Sequence, residues 1–236
     1  MIKKAMILAA GFGKRIRPLT LKSPKPLLKI GKETLLSNTL KFLESFQIKQ
    51  VVINVHYLGE QIVEYINKTK FNLSINIVKE KNEILDTGGG VLNAIQHFSN
   101  ESFLIINPDT IWNSYYLKEL KLMEKLFLEN KKTKCALLVV SKKKSFDQSF
   151  KGDFNLKNNL ISRNDGDDLN YIYTGLQIIK PEVFSDLDLE VFSINRIWNN
   201  LIKINELYGM ESNIDFLHVS TLDIYKNLLE KNLNVK

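Results

Sequence analysis

Residues 5–15 read Ala-Met-Ile-Leu-Ala-Ala-Gly-Phe-Gly-Lys-Arg, and their reading decides the fold. The first six are apolar, too few for a buried helix, and a glycine stops them, which predicts a buried strand over 5–10. Gly11 and Gly13 then permit positive φ and close backbone approach, so main-chain N–H groups can surround phosphate oxygens. Two common glycine motifs are excluded. A dinucleotide fold needs a third glycine at position 16 and an acid closing the next strand. Position 16 is Ile16, and Glu33 sits in a loop before a helix. A Walker loop needs Gly-Lys-Ser/Thr, whereas this chain has Gly13-Lys14-Arg15.

Working outward, short apolar runs alternate with amphipathic ones. Strands are predicted at 51–55, 74–79, 103–106 and 135–141, and helices at 34–47, 59–68, 88–98 and 114–130. In the first helix Leu36, Leu40, Leu43 and Phe46 share one face. Strict alternation of this kind predicts a parallel-rich α/β sheet with right-handed crossovers. After residue 145 the pattern changes. Segments 150–156 and 160–163 flank Asn158-Asn159, which reads as a hairpin turn. A longer strand over 171–179 follows, then a helix opened by Pro181 and further helices at 194–206 and 221–232. Repeats and low-complexity linkers do not occur, so a single domain with an antiparallel insertion is expected.

Composition sets the class. The 236 residues are 44% hydrophobic and 25% charged, which excludes disordered and fibrous readings. No apolar run approaches the length of a membrane span, and the apolar start of the chain is too short for the core of a secretory leader. Cys135 is a lone cysteine in an apolar run and reads as a small core hydrophobe. A cytoplasmic protein is expected. The net charge of +7 is unevenly spread: residues 1–50 carry +9 and the remainder −2. That basic segment holds only Phe12, Phe42 and Phe46 as aromatics. A compact polyphosphate or sugar-phosphate site fits it better than the aromatic-studded stripe of a nucleic-acid binder. Lys3, Lys4, Lys41 and Lys49 read as solvated surface.

One longer pattern remains: Leu8-Ala-Ala-Gly-x-Gly-x-Arg15-x-x-Pro18-Leu-Thr20, then Pro24-Lys25-Pro26-Leu27. Further along stand Ile84-Leu-Asp-Thr-Gly-Gly-Gly-Val91, Asn107-x-Asp109, Tyr173-Thr174-Gly175 and Phe192-Ser-Ile-Asn195. Together they resemble the sugar-1-phosphate nucleotidyltransferase family along nearly the whole chain, in particular its compact branch, which includes the N-acetylmuramate-1-phosphate uridylyltransferases of cell-wall recycling. The resemblance implies a single Rossmann-like three-layer sandwich of the nucleotide-diphospho-sugar transferase type, with a mixed, mostly parallel sheet. It implies a nucleotide-binding part over about 1–110 and a sugar-phosphate-binding part over about 111–236, in a monomer or homodimer. The partners implied are a nucleoside triphosphate and a sugar 1-phosphate, with Mg²⁺ as cofactor and neither nucleic acid nor membrane.

The reaction implied is attack of a sugar-phosphate oxygen on the α-phosphorus of the triphosphate, with pyrophosphate leaving. Both reactants are anions, so the site must cancel charge and hold them in line. Arg15, planar and rich in donors, suits the triphosphate, and Lys25, stiffened by a proline on each side, would bridge the two reacting phosphates. Asp109 ends a strand at the carboxyl edge of the sheet and is the candidate Mg²⁺ ligand. Asn113 and Ser114 are better placed than Asp109 to cap the helix that follows. Nucleotide contacts are expected from Leu8, Ala10, Gly11, Gly13, Lys14, Arg15, Glu80, Thr87 and Gly88, the glycines presenting bare backbone to a flat base. Asp86 is a further candidate for base or ribose. Sugar-phosphate contacts are expected from Lys25, Asn107, Thr174, Gly175 and Asn195, although Asn195 equally suits a helix cap. His56 and His97 read as structural.

Two departures stand against the family pattern. Where a late Mg²⁺-binding aspartate is usual, this chain has His218-Val219-Ser220-Thr221-Leu222, and imidazole is a poor Mg²⁺ ligand. Either Asp109 suffices with waters, or His218 holds a water or phosphate oxygen. Pro108 stands where small residues are usual and removes an N–H. Three functions are carried forward: a uridylyltransferase using N-acetylmuramate 1-phosphate; a mannose-1-phosphate guanylyltransferase or phosphocholine cytidylyltransferase; and an inactive nucleotide-binding module.

Overall fold

Alternate residues of the central strands face opposite sides, and both sides are apolar, so each strand can bury only between two helical layers. The computed structural model describes residues 1–231 apart from 165 and 167. In chain order its elements are β1 (Lys4–Leu8), a two-residue ribbon β2 (Lys29–Ile30) and β3 (Glu33–Thr34), α1 (Leu35–Ser45), β4 (Gln50–Val55), α2 (Gly59–Lys68), β5 (Ser74–Lys79), α3 (Asp86–Ala94), β6 (Phe103–Ile106), α4 (Tyr115–Glu129), β7 (Cys135–Ser141), β8 (Asn155–Lys157), β9 (Leu160–Ser162), β10 (Tyr171–Ile179), α5 (Asn195–Lys203), β11 (Leu207–Ser212) and α6 (Leu222–Glu230). Nine strands form one sheet in the order β5-β4-β1-β6-β10-β7-β11-β9-β8. The left half, β5-β4-β1-β6, is parallel. β10 runs antiparallel to both its neighbours.

On one face Ala5, Ile7, Val51, Ile53, Leu104 and Ile106 pack under α1, α2 and α4. On the other Met6, Val52, Phe103, Ile105, Leu137 and Val139 meet α3 and α5. The result is the expected three-layer α/β sandwich. A third cluster joins Ile16, Leu28 and Leu35 to Val219, Tyr225 and Leu228, bracing the basic loop against α6. Among the described residues no helix is long and apolar enough to cross a membrane.

Several sequence expectations need adjusting. β1 ends at Leu8, because Ala9 turns out of the ladder and donates its N–H to Asn54 Oδ1 at 2.9 Å. α3 begins at Asp86, ahead of the three glycines, and gives way to a 3-10 turn at Ile95–Phe98. Pro181 opens one 3-10 turn, Pro181–Phe184, and no longer helix. β11 has no counterpart among the sequence expectations, and the predicted end of the last helix, residue 232, lies outside the described residues. The Asn158-Asn159 turn is present with both residues at positive φ, 50° and 61°, joining β8 to β9 as a primed hairpin turn requires. Cys135 is buried, and burial raises its thiol pKa well above the ordinary value.

Candidate active site

The carboxyl ends of β1, β4 and β6 open into a cleft of about 400 Å³, where the crevice of a parallel sheet belongs. The basic loop forms one wall. It runs as three 3-10 turns, Lys14–Ile16, Leu19–Leu21 and Lys25–Leu27. Gly13 sits at φ +61°, and a Cβ there would come within 2.8 Å of Thr20 Cγ2 and 3.3 Å of Lys25 Cβ. Its carbonyl accepts from Thr20 Oγ1 at 2.9 Å, and Tyr57 Oη donates to the Thr20 carbonyl at 3.0 Å. Ile16 is buried as the anchor, which leaves Lys14 and Arg15 exposed along the cleft.

The opposite wall is the segment after β6. A bulge in β10 between Tyr173 and Leu176 pushes Thr174 and Gly175 towards it. Asn107 N–H donates to the Gly175 carbonyl at 2.8 Å, and Thr110 Oγ1 to the Thr174 carbonyl at 2.7 Å. Gly175, at φ +91°, has no room for a Cβ, which would sit 2.9 Å from Asn107 Cβ. Asp109 is held between these anchors and the Val219 N–H, which donates to its carbonyl at 2.8 Å. Asp109 does not cap the next helix: Ser114 is its N-cap, and Asn113 Oδ1, one residue earlier, accepts from Tyr115 N–H at 3.0 Å.

Across the cleft Lys25 donates to Asp109 Oδ2. His218 Nε2 lies 3.1 Å from the same oxygen, its ring stacked on Phe216. The Lys25 and Asp109 side chains are 14% and 18% exposed. Burial pushes the Asp109 pKa up, but the charges of Lys25 and His218 outweigh it and hold the carboxyl well below the usual carboxylate range. Asp109 Oδ1 is buried and has no hydrogen-bond partner among the described residues. Behind His218, Ser220 Oγ donates to Asp147 Oδ2, and Ser220 reaches the cleft lining.

Of the residues singled out in the sequence, the cleft brings together Leu8, Ala10, Gly11, Gly13, Lys14, Arg15, Lys25, Asp86, Thr87, Asn107, Pro108 and Asp109. Glu80, Gly88, Thr174, Gly175 and Asn195 do not line it. Glu80 is buried, and both its oxygens are engaged: Oε1 by Asn54 Nδ2 at 2.6 Å and Oε2 by Leu85 N–H at 2.8 Å. It holds β4 and the turn before α3 together. The N–H groups of Gly88 and Gly89 both donate to the Phe192 carbonyl, at 2.9 and 3.0 Å, so they are not available to a base. Thr174 and Gly175 support Asn107 from behind. Asn195 spends its amide on Arg163, at 2.9 Å, and on Ser193, at 3.0 Å. His218 contacts Asp109 without lining the cleft, and His56 is structural, its Nδ1 2.7 Å from the Glu80 carbonyl.

Asn54 and Ser220 also line the cleft, with Asp147 holding Ser220 from behind, and no sequence expectation singles out Asn54 or Asp147. Asn54 leaves a trace: it is a polar residue inside the buried run Val51–Val55, where an amide persists only if fully bonded. Glu80→Ala should therefore behave as a core lesion. Removing the acceptor from Asn54 and from the Leu85 N–H is expected to cost roughly 2 kcal/mol, read as a lowered urea midpoint at unchanged m. An unshifted midpoint would exclude the strut role.

The family model for nucleotidyl transferases matches residues 4–148. An N-acetylmuramate alpha-1-phosphate uridylyltransferase of Caulobacter vibrioides is 28% identical over 222 residues, covering 92% of this chain and 91% of that protein. Mannose-1-phosphate guanylyltransferase 1 of Arabidopsis thaliana is 33% identical over 121 residues, half of this chain and 33% of that protein. In fold, HddC of Yersinia pseudotuberculosis, solved in complex with GMP-PN, superimposes with a TM-score of 0.76 at 20% identity, covering 98% of this chain and 99% of that one.

Proposed function

The chain belongs to the nucleotidyl transferase family, as an enzyme of the sugar-1-phosphate type, and from that premise we propose that it transfers UMP from UTP to N-acetylmuramate 1-phosphate with release of pyrophosphate. The observation that carries the reading is the facing of Arg15 and Lys25 with Asp109 across one cleft at the carboxyl edge of the parallel strands. The relative matched over nine-tenths of both chains bears that activity, which favours uracil and muramate over other pairs. Residues up to about 110 would hold the nucleotide and, through Lys25 and Asn107, the reacting end of the acceptor, with those beyond 110 holding the rest of the acceptor.

In this reading Arg15 and Lys14 bind the triphosphate, and the Ala10-Gly11 backbone leaves room for the nucleoside. Lys25 leaves its pairing with Asp109 to lie between the acceptor phosphate and the α-phosphate, so that two anions approach without repulsion. An acceptor oxygen forms a bond to the α-phosphorus as the bond to the β-phosphate oxygen breaks, and pyrophosphate leaves with that electron pair. Asn107, fixed by the β10 bulge, orients the acceptor.

The residues present fit a single Mg²⁺ held by one carboxylate. Asp109 Oδ1 is a buried hard oxygen with no protein partner among the described residues, while Oδ2 is already taken by Lys25 and His218. Among the described residues no cluster of three or more acids, histidines or cysteines gathers, so the remaining ligands would be phosphate oxygens and waters. Such an ion supplies neutralisation of phosphate charge at the reacting centre.

The test is pyrophosphate release from UTP, GTP, CTP and ATP against a panel of sugar 1-phosphates and phosphocholine. Release is expected with UTP and N-acetylmuramate 1-phosphate and is expected to stop on chelation and return with Mg²⁺. Release with GTP and mannose 1-phosphate, or with CTP and phosphocholine, would move the assignment. Nucleotide binding without release from any pair would favour the inactive module.

A further inference from the structure

Asp86 stands at the lip of the cleft as the first residue of α3, exposed and at φ +59°. Left-handed backbone at a non-glycine residue is a strained choice that persists when the surroundings over-determine it. They do so here. Leu85 N–H is held by Glu80, Thr87 Oγ1 accepts from Ile194 N–H at 2.9 Å, and Gly88 N–H is held by the Phe192 carbonyl. Asp86 Oδ1 accepts from Thr87 N–H at 2.6 Å, while Oδ2 has no partner among the described residues.

The charge pattern makes this carboxylate anomalous. The cleft is lined by the cations Lys14, Arg15 and Lys25 and by two acids. Asp109 is neutralised by Lys25, but Asp86 has no cationic partner among the described residues. A carboxylate left free in a cleft that receives a triphosphate opposes binding, unless it meets a donor on the ligand. The triphosphate oxygens accept only; the donors of a nucleoside triphosphate are its ribose hydroxyls and base N–H groups. A vicinal diol offers two O–H groups to one carboxylate, in charge-assisted hydrogen bonds.

We propose that Asp86 is a specificity-determining residue whose carboxylate accepts from the ribose hydroxyls of the bound nucleotide and so selects ribonucleotides over 2′-deoxyribonucleotides. The inference rests on the nucleotide-transfer reading of the cleft and adds to it the group by which the sugar of the nucleotide is read.

The experiment measures calorimetric affinities of UTP, 2′-deoxy-UTP, CTP, GTP and ATP for the wild type, Asp86→Gly and Asp86→Asn. Glycine accepts φ +59° without strain, so the Asp86→Gly backbone is not compromised. The wild type is expected to prefer UTP over 2′-deoxy-UTP by about tenfold or more, the worth of a hydrogen bond to a charged group. Asp86→Gly is expected to bring that ratio close to one with the unfolding midpoint near the wild-type value, and Asp86→Asn to fall between. A wild type indifferent to the 2′-hydroxyl, or a ratio that survives in Asp86→Gly, would overturn the proposal. So would a variant that reorders the four bases at an unchanged ribose ratio, since the carboxylate would then read the base. Failure of all four ribonucleotides to bind the wild type overturns the nucleotide-transfer reading as well, whereas binding without ribose discrimination overturns this one alone.

Discussion

Lys25→Ala is expected to lower the rate of pyrophosphate release by roughly 10²- to 10³-fold, the usual loss when one preorganised charge is removed from a transition state. The effect should fall on kcat more than on nucleotide KM, because Arg15 and Lys14 remain to hold the triphosphate. In the free protein the Lys25 ammonium is already in place, mostly buried against Asp109 and fixed in backbone by Pro24 and Pro26. Little conformational entropy is lost when an incoming phosphate takes the place of Asp109. The same substitution leaves Asp109 Oδ2 with His218 as its remaining partner, so some loss of stability is expected too. The two effects separate. A brace without a catalytic role would lower the unfolding midpoint and leave turnover in the folded fraction within a few-fold of wild type, which would refute the charge-bridging role. Lys41→Ala is the matched control: Lys41 pairs with Glu33 on the exposed face of α1, and an exposed pair of this kind contributes little.

Lys25 and Asp109 are legible in the amino-acid sequence for a physical reason. Local rules mark the positions, one clamped between prolines and the other just past an apolar strand at the carboxyl edge of the sheet, whereas the roles expected of them come from the family resemblance. The alternation of apolar strands and amphipathic helices implies a parallel-rich α/β sheet, and Asn158-Asn159 announces its turn. What the sequence hides depends on partners far along the chain. Three consecutive glycines look like a platform for a ligand, yet the Phe192 carbonyl takes the N–H groups of two of them. Glu80 looks like a free acid, yet Asn54 and the Leu85 N–H surround it. β11 lacks a strand signature because its centre is Gly209, which breaks the pattern locally. The Ile161 side chain packs directly on its bare backbone, where a Cβ would displace Ile161 Cδ1. Arg15, Lys25 and Asp109 are each legible as chemistry, but the β10 bulge that sets Asp109 facing Lys25 carries no local signature beyond Gly175.

Gly89→Ala should produce a large loss of stability although Gly89 lies behind the cleft and does not line it. A Cβ at Gly89 would overlap the Glu190 carbonyl oxygen, which is main chain and cannot rotate away. The strap around residues 190–192 would have to lift, and with it both hydrogen bonds from Gly88 and Gly89 to Phe192 and the bond from Phe192 N–H to the Leu85 carbonyl at 3.2 Å. Overpacking with partial loss of these bonds is expected to cost roughly 2–3 kcal/mol, measured as a shift of the urea midpoint. Because Asp86 and Thr87 hang from the same strap, nucleotide affinity should fall in parallel. Gly11→Ala provides the contrast. A Cβ there meets nothing within 4 Å, so the unfolding midpoint should not move. Yet Gly11 lines the cleft, and if a nucleotide lies against its backbone the added methyl group must weaken binding. An unstable Gly89→Ala beside a stable but weakly binding Gly11→Ala would assign the two glycine runs to different tasks, the triple glycine to packing and the loop glycine to the ligand. Equal stability in both variants would sink the packing account, and undiminished nucleotide affinity in Gly11→Ala would remove the loop from the binding surface.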